Sequence, residues 1–290
     1  MLGHKLMQVL GATPSLEVHG TVRSLPSEEF RSPGVEYHAG VDLAGGTASV
    51  ARVLDAVAPD VIVNAIGAIK QRDLYSDIDR TYFLNGSLPH LLSHLNPNRD
   101  GRTIHFSTDC VYTGSRGSYL ETEAPDATDV YGRSKAIGEL TYAPHLTIRT
   151  SIIGFELSAH LGLVGWLMRQ TRGSTIHGYT EAIFSGLPTV ELSRTVRDLI
   201  VTPSQFTGVW HVASQPISKF DLLTRINAAL DLGLDIQPSS SVRIDRSLLD
   251  VRFRSATGTT TPGWDELTAS LRADFVSWPY AGLYDAVRPS

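Results

Sequence analysis

Tyr131 and Lys135 stand four apart in Tyr131-Gly-Arg-Ser-Lys135, inside a stretch from Asp129 to Tyr142 whose pattern predicts a helix. Residues at that spacing share a helix face, so the phenol and the ammonium can address one cleft. A cation beside a phenol favours the phenolate and lowers its pKa, which makes the hydroxyl a usable proton donor near neutrality. By itself the spacing is common among ordinary surface pairs. It gains weight from Ser107-Thr-Asp-Cys-Val-Tyr112, which lies at the end of a predicted buried strand starting at Arg102. Hydroxyls at the end of a buried strand lie where an α/β sheet presents its active-site groups. One of them can hydrogen-bond a substrate carbonyl oxygen while Tyr131 supplies the proton. The chemistry suggested is carbonyl reduction. Glu139 follows the lysine on the same predicted helix.

Positioning these groups requires strands that end together. The first half of the chain alternates short apolar runs with helical patterns. Leu16 to Val22 reads as a strand, Thr47 to Ala58 as a helix and Val61 to Ala65 as a buried strand ending near Asn64. Arg80 to Leu95 reads as a helix in spite of Pro89, and Arg102 to Ser107 and His145 to Arg149 as further strands. Such alternation predicts a parallel sheet covered by helices on both faces. After Arg149 the rhythm loosens: Leu161 to Thr171, Thr189 to Ile200 and Ser218 to Leu230 look helical, and Gly208 to Ala213 looks like a strand.

Composition narrows the functional class. Of the 290 residues, 42% are apolar and 19% charged, which suits a packed globular protein. A formal charge of -5 gives no reason to expect a nucleic-acid partner, which needs concentrated Lys and Arg. The single Cys110 excludes an intramolecular disulfide, and nothing adjacent would make it a thiolate, so it reads as structural. No apolar run approaches the roughly 20 residues that span a bilayer. Met1 to Leu10 does not resemble a signal peptide, and the cytoplasm is the expected compartment. His90 and His94 have zinc-pair spacing, but no third ligand suggests itself, so no metal is expected.

The chain resembles the extended short-chain dehydrogenases/reductases, in the branch similar to dTDP-4-dehydrorhamnose reductase. The resemblance rests on Ser107-Thr-Asp-Cys-Val-Tyr112, Val130-Tyr-Gly-Arg-Ser-Lys-Ala-Ile-Gly-Glu139, Arg149-Thr-Ser-Ile-Ile-Gly154 and Phe184-Ser-Gly-Leu-Pro-Thr189, and extends over nearly the whole chain. It implies an α/β fold with a Rossmann-like doubly wound parallel sheet and a smaller C-terminal substrate domain. Residues 1–151, with 189–213 returning, would form the first part, and 152–188 with 214–290 the second. It further implies NADPH as cofactor, with NADH the alternative. Thr108 would be the hydroxyl member, Tyr131 the acid and Lys135 its partner and a ligand of the nicotinamide ribose. Asp42 resembles an aspartate that contacts adenine, with Leu43 beside it. Asn64, Ala65, Ile66 and Gly67 would let the backbone approach the cofactor, Asn85 resembles an asparagine of the following helix, and Gly3 the last glycine of a dinucleotide turn. Arg23, with Ser24, follows the second strand, where it would neutralise a 2′-phosphate or stand as a solvated loop residue. Asp109 and the loop residues Phe184 and Ser185 are expected near substrate. Arg246 and Arg252 would bind its diphosphate, or make surface ion pairs.

The implied function is reduction of a 4-keto group on a nucleotide-linked 6-deoxy sugar, for a cell-surface polysaccharide precursor. Sugar-nucleotide epimerisation or dehydration, and a non-catalytic regulatory subunit that kept the fold, are the alternatives. A homodimer is the assembly the family suggests. One departure stands out: the sequence opens on Met1-Leu-Gly-His4 and enters a helix, with Gly11-Ala-Thr13 as its stop. A dinucleotide fold opens on a strand and a glycine-rich turn. About a dozen upstream residues holding them are therefore expected to be absent, which would leave two unpaired sheet edges and a weakened phosphate site.

Overall fold

The computed structural model describes residues 1–43, 46–69, 77–157, 161–202 and 206–285. In chain order the helices are α1 (Leu2–Gly11), α2 (Ala48–Val57), α3 (Ile78–Tyr82), α4 (Leu88–Leu95), α5 (Val130–Ile137), α6 (Leu163–Met168), α7 (Thr189–Val201), α8 (Lys219–Ala229), α9 (Val251–Thr257), α10 (Trp264–Ser277) and α11 (Tyr280–Asp285). The strands are β1 (Val18–Thr21), β2 (Val35–His38), β3 (Val61–Asn64), β4 (Arg102–Thr108), β5 (Leu146–Thr150), β6 (Ile152–Ile153), β7 (Thr175–Phe184), β8 (Leu187–Pro188), β9 (Gly208–His211), β10 (Ile217–Ser218) and β11 (Asp235–Asp245). The fold is mixed α/β with parallel strands, as the alternation in the sequence predicts.

Parallel pairs occur in all four sheets, one of which is the short pair β6–β8. β3, β4, β5 and β9 pair in that order, while β1 pairs only with β2. Among the described residues, β1 and β3 therefore have one neighbour each. Val61, Ile62 and Val63 of β3 are only half-buried, whereas β4 is buried from Thr103 onward. A third sheet, β10–β7–β11, joins an antiparallel pair to a parallel one, with a register shift between Ser239 and Arg243.

The two faces of the β3–β9 sheet bury different clusters. Leu2, Leu6 and Leu10 recur every four residues along α1 and pack with Ile104, Ile148, Leu192 and Val196. Each such side chain removed from water contributes roughly 1.5–3 kcal/mol. Val50 and Leu54 of α2 meet Leu88 and Leu92 of α4, with Ile62 beneath them. The first cluster continues without a break to Phe184, Leu222, Trp264, Leu271 and Tyr280, so the large sheet and the C-terminal helices share one core. α1 is also fixed to α10 by a buried ion pair between Lys5 and Asp274.

Two elements differ from expectation. The helix expected from Arg80 to Leu95 is α3, a π-helical segment Phe83–Ser87 and α4. The extra residue per turn turns the buried Asn85 toward α5, where its amide donates to Ser134 Oγ at 3.0 Å. The helix expected to run to Tyr142 ends at Ile137, because Gly138 presses against α3–α4: a Cβ there would sit 1.9 Å from Asn85 O.

Candidate active site

The carboxyl ends of β3, β4 and β5 open onto a cleft of about 490 Å³, as a parallel sheet requires. The first turn of α1 and the face of α5 close one side, and the end of β7, Lys219 and Arg246 close the other.

Thr108, the last residue of β4, caps the tight turn Asp109–Val111. Its Oγ1 accepts from Cys110 N at 3.1 Å and donates to Asp109 Oδ1 at 3.0 Å. Helix α5 starts on Asp129, whose carboxylate accepts from Gly132 N at 2.8 Å. Gly132 is where α5 meets that turn: a Cβ there would lie 2.2 Å from Cys110 O. Any larger residue would push Tyr131 away from the strand end. With glycine present, Tyr131 and Thr108 line the same cleft. Lys135, one turn on, is buried and donates to Phe106 O at 2.6 Å, with His105 Nε2 at 3.4 Å. Thr108, Asp109, Tyr131 and Lys135 all line the cleft.

The electrostatics depart from the sequence expectation in one respect. Burial pushes the Tyr131 phenol well above its ordinary pKa, Cys110 adds to the shift, and the Thr108 side chain opposes it. The Lys135 ammonium donates to the Phe106 carbonyl at 2.6 Å. Burial lowers Lys135 itself to about 8, with Glu139 opposing. Tyr131 therefore stays a protonated donor at neutral pH. Glu139 lies beyond the end of α5 and makes a buried bidentate pair with Arg149, at 2.6 Å for each bond, while Ser107 Oγ donates to it at 2.7 Å.

The cofactor candidates separate into two groups. Gly3, Asn64, Ala65, Ile66 and Gly67 line the cleft, with Gly3 close to Ala65. Asn64 Oδ1 accepts from Ile66 N at 3.1 Å and shapes the turn. Asn85 lies behind that loop and holds it, accepting from Ala68 N at 2.8 Å and donating to Ala68 O at 3.2 Å. Arg23 and Ser24 are exposed after β1, Asp42 is exposed, and Leu43 is buried in the α2–α4 cluster. None of these four lines the cleft.

On the substrate side, Phe184 and Arg246 line the cleft, and Arg246 Nε donates to Tyr112 O at 2.7 Å. Ser185 and Arg252 do not. Ser185 Oγ accepts from Leu248 N at 2.9 Å, and the Arg252 guanidinium stacks 3.6 Å from the Trp210 ring centroid. The His90–His94 pair is spent on local contacts, with His90 against Ile137 O at 2.9 Å and His94 against His90 O at 2.7 Å.

One cleft residue escaped the sequence reading. Lys219, the first residue of α8, lines the cleft with its Nζ 5.3 Å from the Phe184 ring centroid. Burial lowers its pKa, and Asp109 opposes the shift. A lysine in a first helical turn works against the helix dipole, and that was the available signal.

Comparison with known proteins gives a consistent picture. The family described as "RmlD substrate binding domain" matches residues 2–248. A dTDP-4-dehydrorhamnose reductase of Burkholderia thailandensis is 33% identical over 112 residues, which is 37% of this chain and 38% of that protein. The "Probable low-salt glycan biosynthesis reductase Agl14" of Haloferax volcanii is 27% identical over 281 residues, 89% of this chain and 90% of that one. The chain thus spans little more than a third of the first relative and nine-tenths of the second. Among solved structures, the dTDP-4-dehydrorhamnose reductase of Bacillus anthracis in complex with NADP superposes with a TM-score of 0.69 at 18% identity, covering 83% of this chain and 90% of that one. DesIV, a dTDP-glucose 4,6-dehydratase of Streptomyces venezuelae with NAD bound, gives a TM-score of 0.75 at 16% identity, covering 99% and 96%. At those identities the likeness is one of fold.

Proposed function

Because this chain belongs to the RmlD substrate binding domain family, we propose that it is an NAD(P)-dependent oxidoreductase that reduces the 4-keto group of a nucleotide-linked 6-deoxy sugar. The observation that carries this reading is that Thr108 at a strand end, Tyr131 and, one turn further along α5, the buried Lys135 line the same cleft. The names of the relatives support a sugar-nucleotide substrate and a role in making surface polysaccharide.

The residues present fit a dinucleotide. Lys135 has a three-donor ammonium engaged by one carbonyl and one distant imidazole, so a donor remains for a ribose hydroxyl. Gly67 leaves a cradle: a Cβ there would stand 3.0 Å from Asn85 Oδ1 and 3.9 Å from Lys135 Nζ. The first turn of α1, at Gly3, would receive a diphosphate against its unpaired N–H groups. Arg23 after β1 would meet a 2′-phosphate, which favours NADPH over NADH. When bound, the cofactor supplies the hydride. Tyr131 donates its proton to the carbonyl oxygen, Thr108 orients that oxygen, and Lys135 holds the ribose while keeping positive charge beside the site. Residues 152–188 and 214–290 supply the substrate side, with 1–151 and 189–213 holding the cofactor. The working compartment is the cytoplasm and the assembly a homodimer.

The direct test is oxidation of added NADPH in the presence of a 4-keto-6-deoxy sugar nucleotide, followed by absorbance. Stoichiometric reduction supports the reading. Conversion of the sugar without net NADPH consumption would replace it with epimerisation or dehydration.

Two further results are expected. Lys135 is cationic below about pH 8, so kcat/KM for reduction should fall about tenfold per pH unit above that value. Lys135→Arg, charged throughout, should flatten this limb whatever rate it retains. A limb that survives in the arginine variant belongs to another group. The same shift sets the sign for stability: folding disfavours the Lys135 charge, so its penalty is complete below about pH 8 and relieved as pH rises toward 10.5. Lys219→Met should raise KM for the sugar nucleotide about tenfold or more with a smaller change in kcat, since a charge-assisted contact to substrate is worth about 1.5–3 kcal/mol. An unchanged KM would place Lys219 outside the substrate site.

A further inference from the structure

A second constellation lies away from the cleft, on the two-stranded β1–β2 sheet. β1 and β2 run parallel with His19 opposite Glu36 and Thr21 opposite His38. Alternation puts His19, Glu36 and His38 on one face. The other face meets α1, where a Cβ at Gly20 would touch the Met7 sulfur. His19 Nδ1 lies 3.0 Å from His38 Nε2. The Glu36 carboxylate reaches both rings, at 3.7 Å from His19 Nδ1 and 3.8 Å from His38 Nε2. Behind His19, its other nitrogen stands 3.2 Å from Glu17 Oε1.

We propose that His19, Glu36 and His38 form a site for a divalent transition-metal ion, with zinc as the preferred occupant and water in the fourth position. One donor atom from each residue lies within 4.8 Å of the others. Ligands bound at about 2.0–2.1 Å around a tetrahedral ion stand roughly 3.3 Å apart. The two imidazole nitrogens, 3.0 Å apart, are already near that value, while Glu36 presents Oε2 to His19 and Oε1 to His38, so a rotation of this exposed carboxylate brings one oxygen onto the ion. Two imidazoles and one carboxylate suit zinc and its neighbours, whereas calcium and magnesium demand all-oxygen shells. The Glu17 contact completes the arrangement. A proton held on Nε2 between His19 and Glu17 leaves the Nδ1 lone pair facing His38 and Glu36, which is the carboxylate–histidine–metal geometry. Both histidine side chains are mostly shielded, at 17% and 22% exposure, while Glu36 is open at 68%, so the pocket has fixed walls and an entrance. An ion here would tie together two four-residue strands that, among the described residues, have no other sheet partner. Without one, a proton shared between the two imidazoles must hold the pair.

The test uses the full chain without a tag, stripped by chelator and titrated with zinc by calorimetry. One equivalent should bind saturably and raise the melting temperature. His38→Ala should weaken binding at least 100-fold, and Glu36→Gln and Glu17→Gln about tenfold each. Cobalt in place of zinc should give the visible absorption of a tetrahedral ion in the native chain and lose it in His38→Ala. The double variant His90→Ala/His94→Ala should titrate as the native chain does. Absence of uptake, uptake indifferent to both His38→Ala and Glu36→Gln, or uptake lost in the His90/His94 variant would each overturn the assignment. None of these readouts depends on reductase activity, so failure here leaves the proposed reaction standing.

Discussion

Tyr131→Phe should lower kcat for ketone reduction by about 10²–10⁴-fold while leaving NADPH affinity within a few-fold. The substitution deletes one oxygen from a half-buried ring and leaves the rest of α5 in place. Its effect falls on proton delivery because the structure keeps the phenol protonated: burial holds its pKa above the ordinary tyrosine value. No other donor replaces it readily. The Thr108 hydroxyl already donates to Asp109 at 3.0 Å, and Lys135 holds Phe106 O at 2.6 Å with its remaining donor assigned to the ribose. Steady-state kinetics with fluorescence titration of NADPH separate the two effects. A kcat within threefold of the native value would remove Tyr131 from the reaction. Lost cofactor binding would point instead to a ring that supports the nicotinamide.

The second large effect concerns stability. Arg149→Leu should cost about 3–5 kcal/mol, because it strands the buried Glu139 carboxylate. Arg149 and Glu139 side chains are each 4% exposed and share two 2.6 Å bonds. Arg149 also donates to Tyr112 OH at 2.7 Å. Removing the guanidinium leaves Glu139 with the Ser107 hydroxyl, which donates to it at 2.7 Å. The double variant Arg149→Leu/Glu139→Gln should recover part of the loss, since an uncharged amide tolerates burial better. Urea unfolding of the two single variants and the double closes the cycle. Strict additivity would show that the pair is uncoupled. The network matters to the site because Ser107 precedes Thr108 on β4, and it anchors that strand end to the chain leaving α5.

Much of this arrangement is legible in the sequence, and its limits have physical causes. β4 and β5 read as strands because apolar residues alternate with polar ones, Ile104 and Phe106 in the first and Leu146 and Ile148 in the second. The trio proposed for catalysis could be picked out because Tyr131 and Lys135 are local neighbours and Thr108 ends β4. β2 went unread, since Val35-Glu-Tyr-His38 alternates toward a polar face. β11 contains Gln237-Pro-Ser-Ser-Ser241, which looks like a loop and becomes a strand only against β7. Lys219 was missed because its neighbours in the cleft, Asp109 and Phe184, are distant in the chain. The His19–Glu36–His38 group was missed for the same reason, as it exists only once β1 and β2 pair. The tyrosine pKa was read in the wrong direction, because spacing reveals a nearby cation but not the burial that outweighs it.

The split between the β1–β2 and β3–β9 sheets bears on how this chain behaves at high concentration. The outer edge of β3 offers backbone donors and acceptors along Val61-Ile-Val-Asn64, a run without charge or proline. That edge is a template for an extended segment of a second molecule, and β1 carries a similar one. Pro59 and Asp60, directly before β3, act as gatekeepers at its entrance. Precipitation of this protein should therefore nucleate along the seam between the sheets, far more readily than at the polar mouth of the cleft.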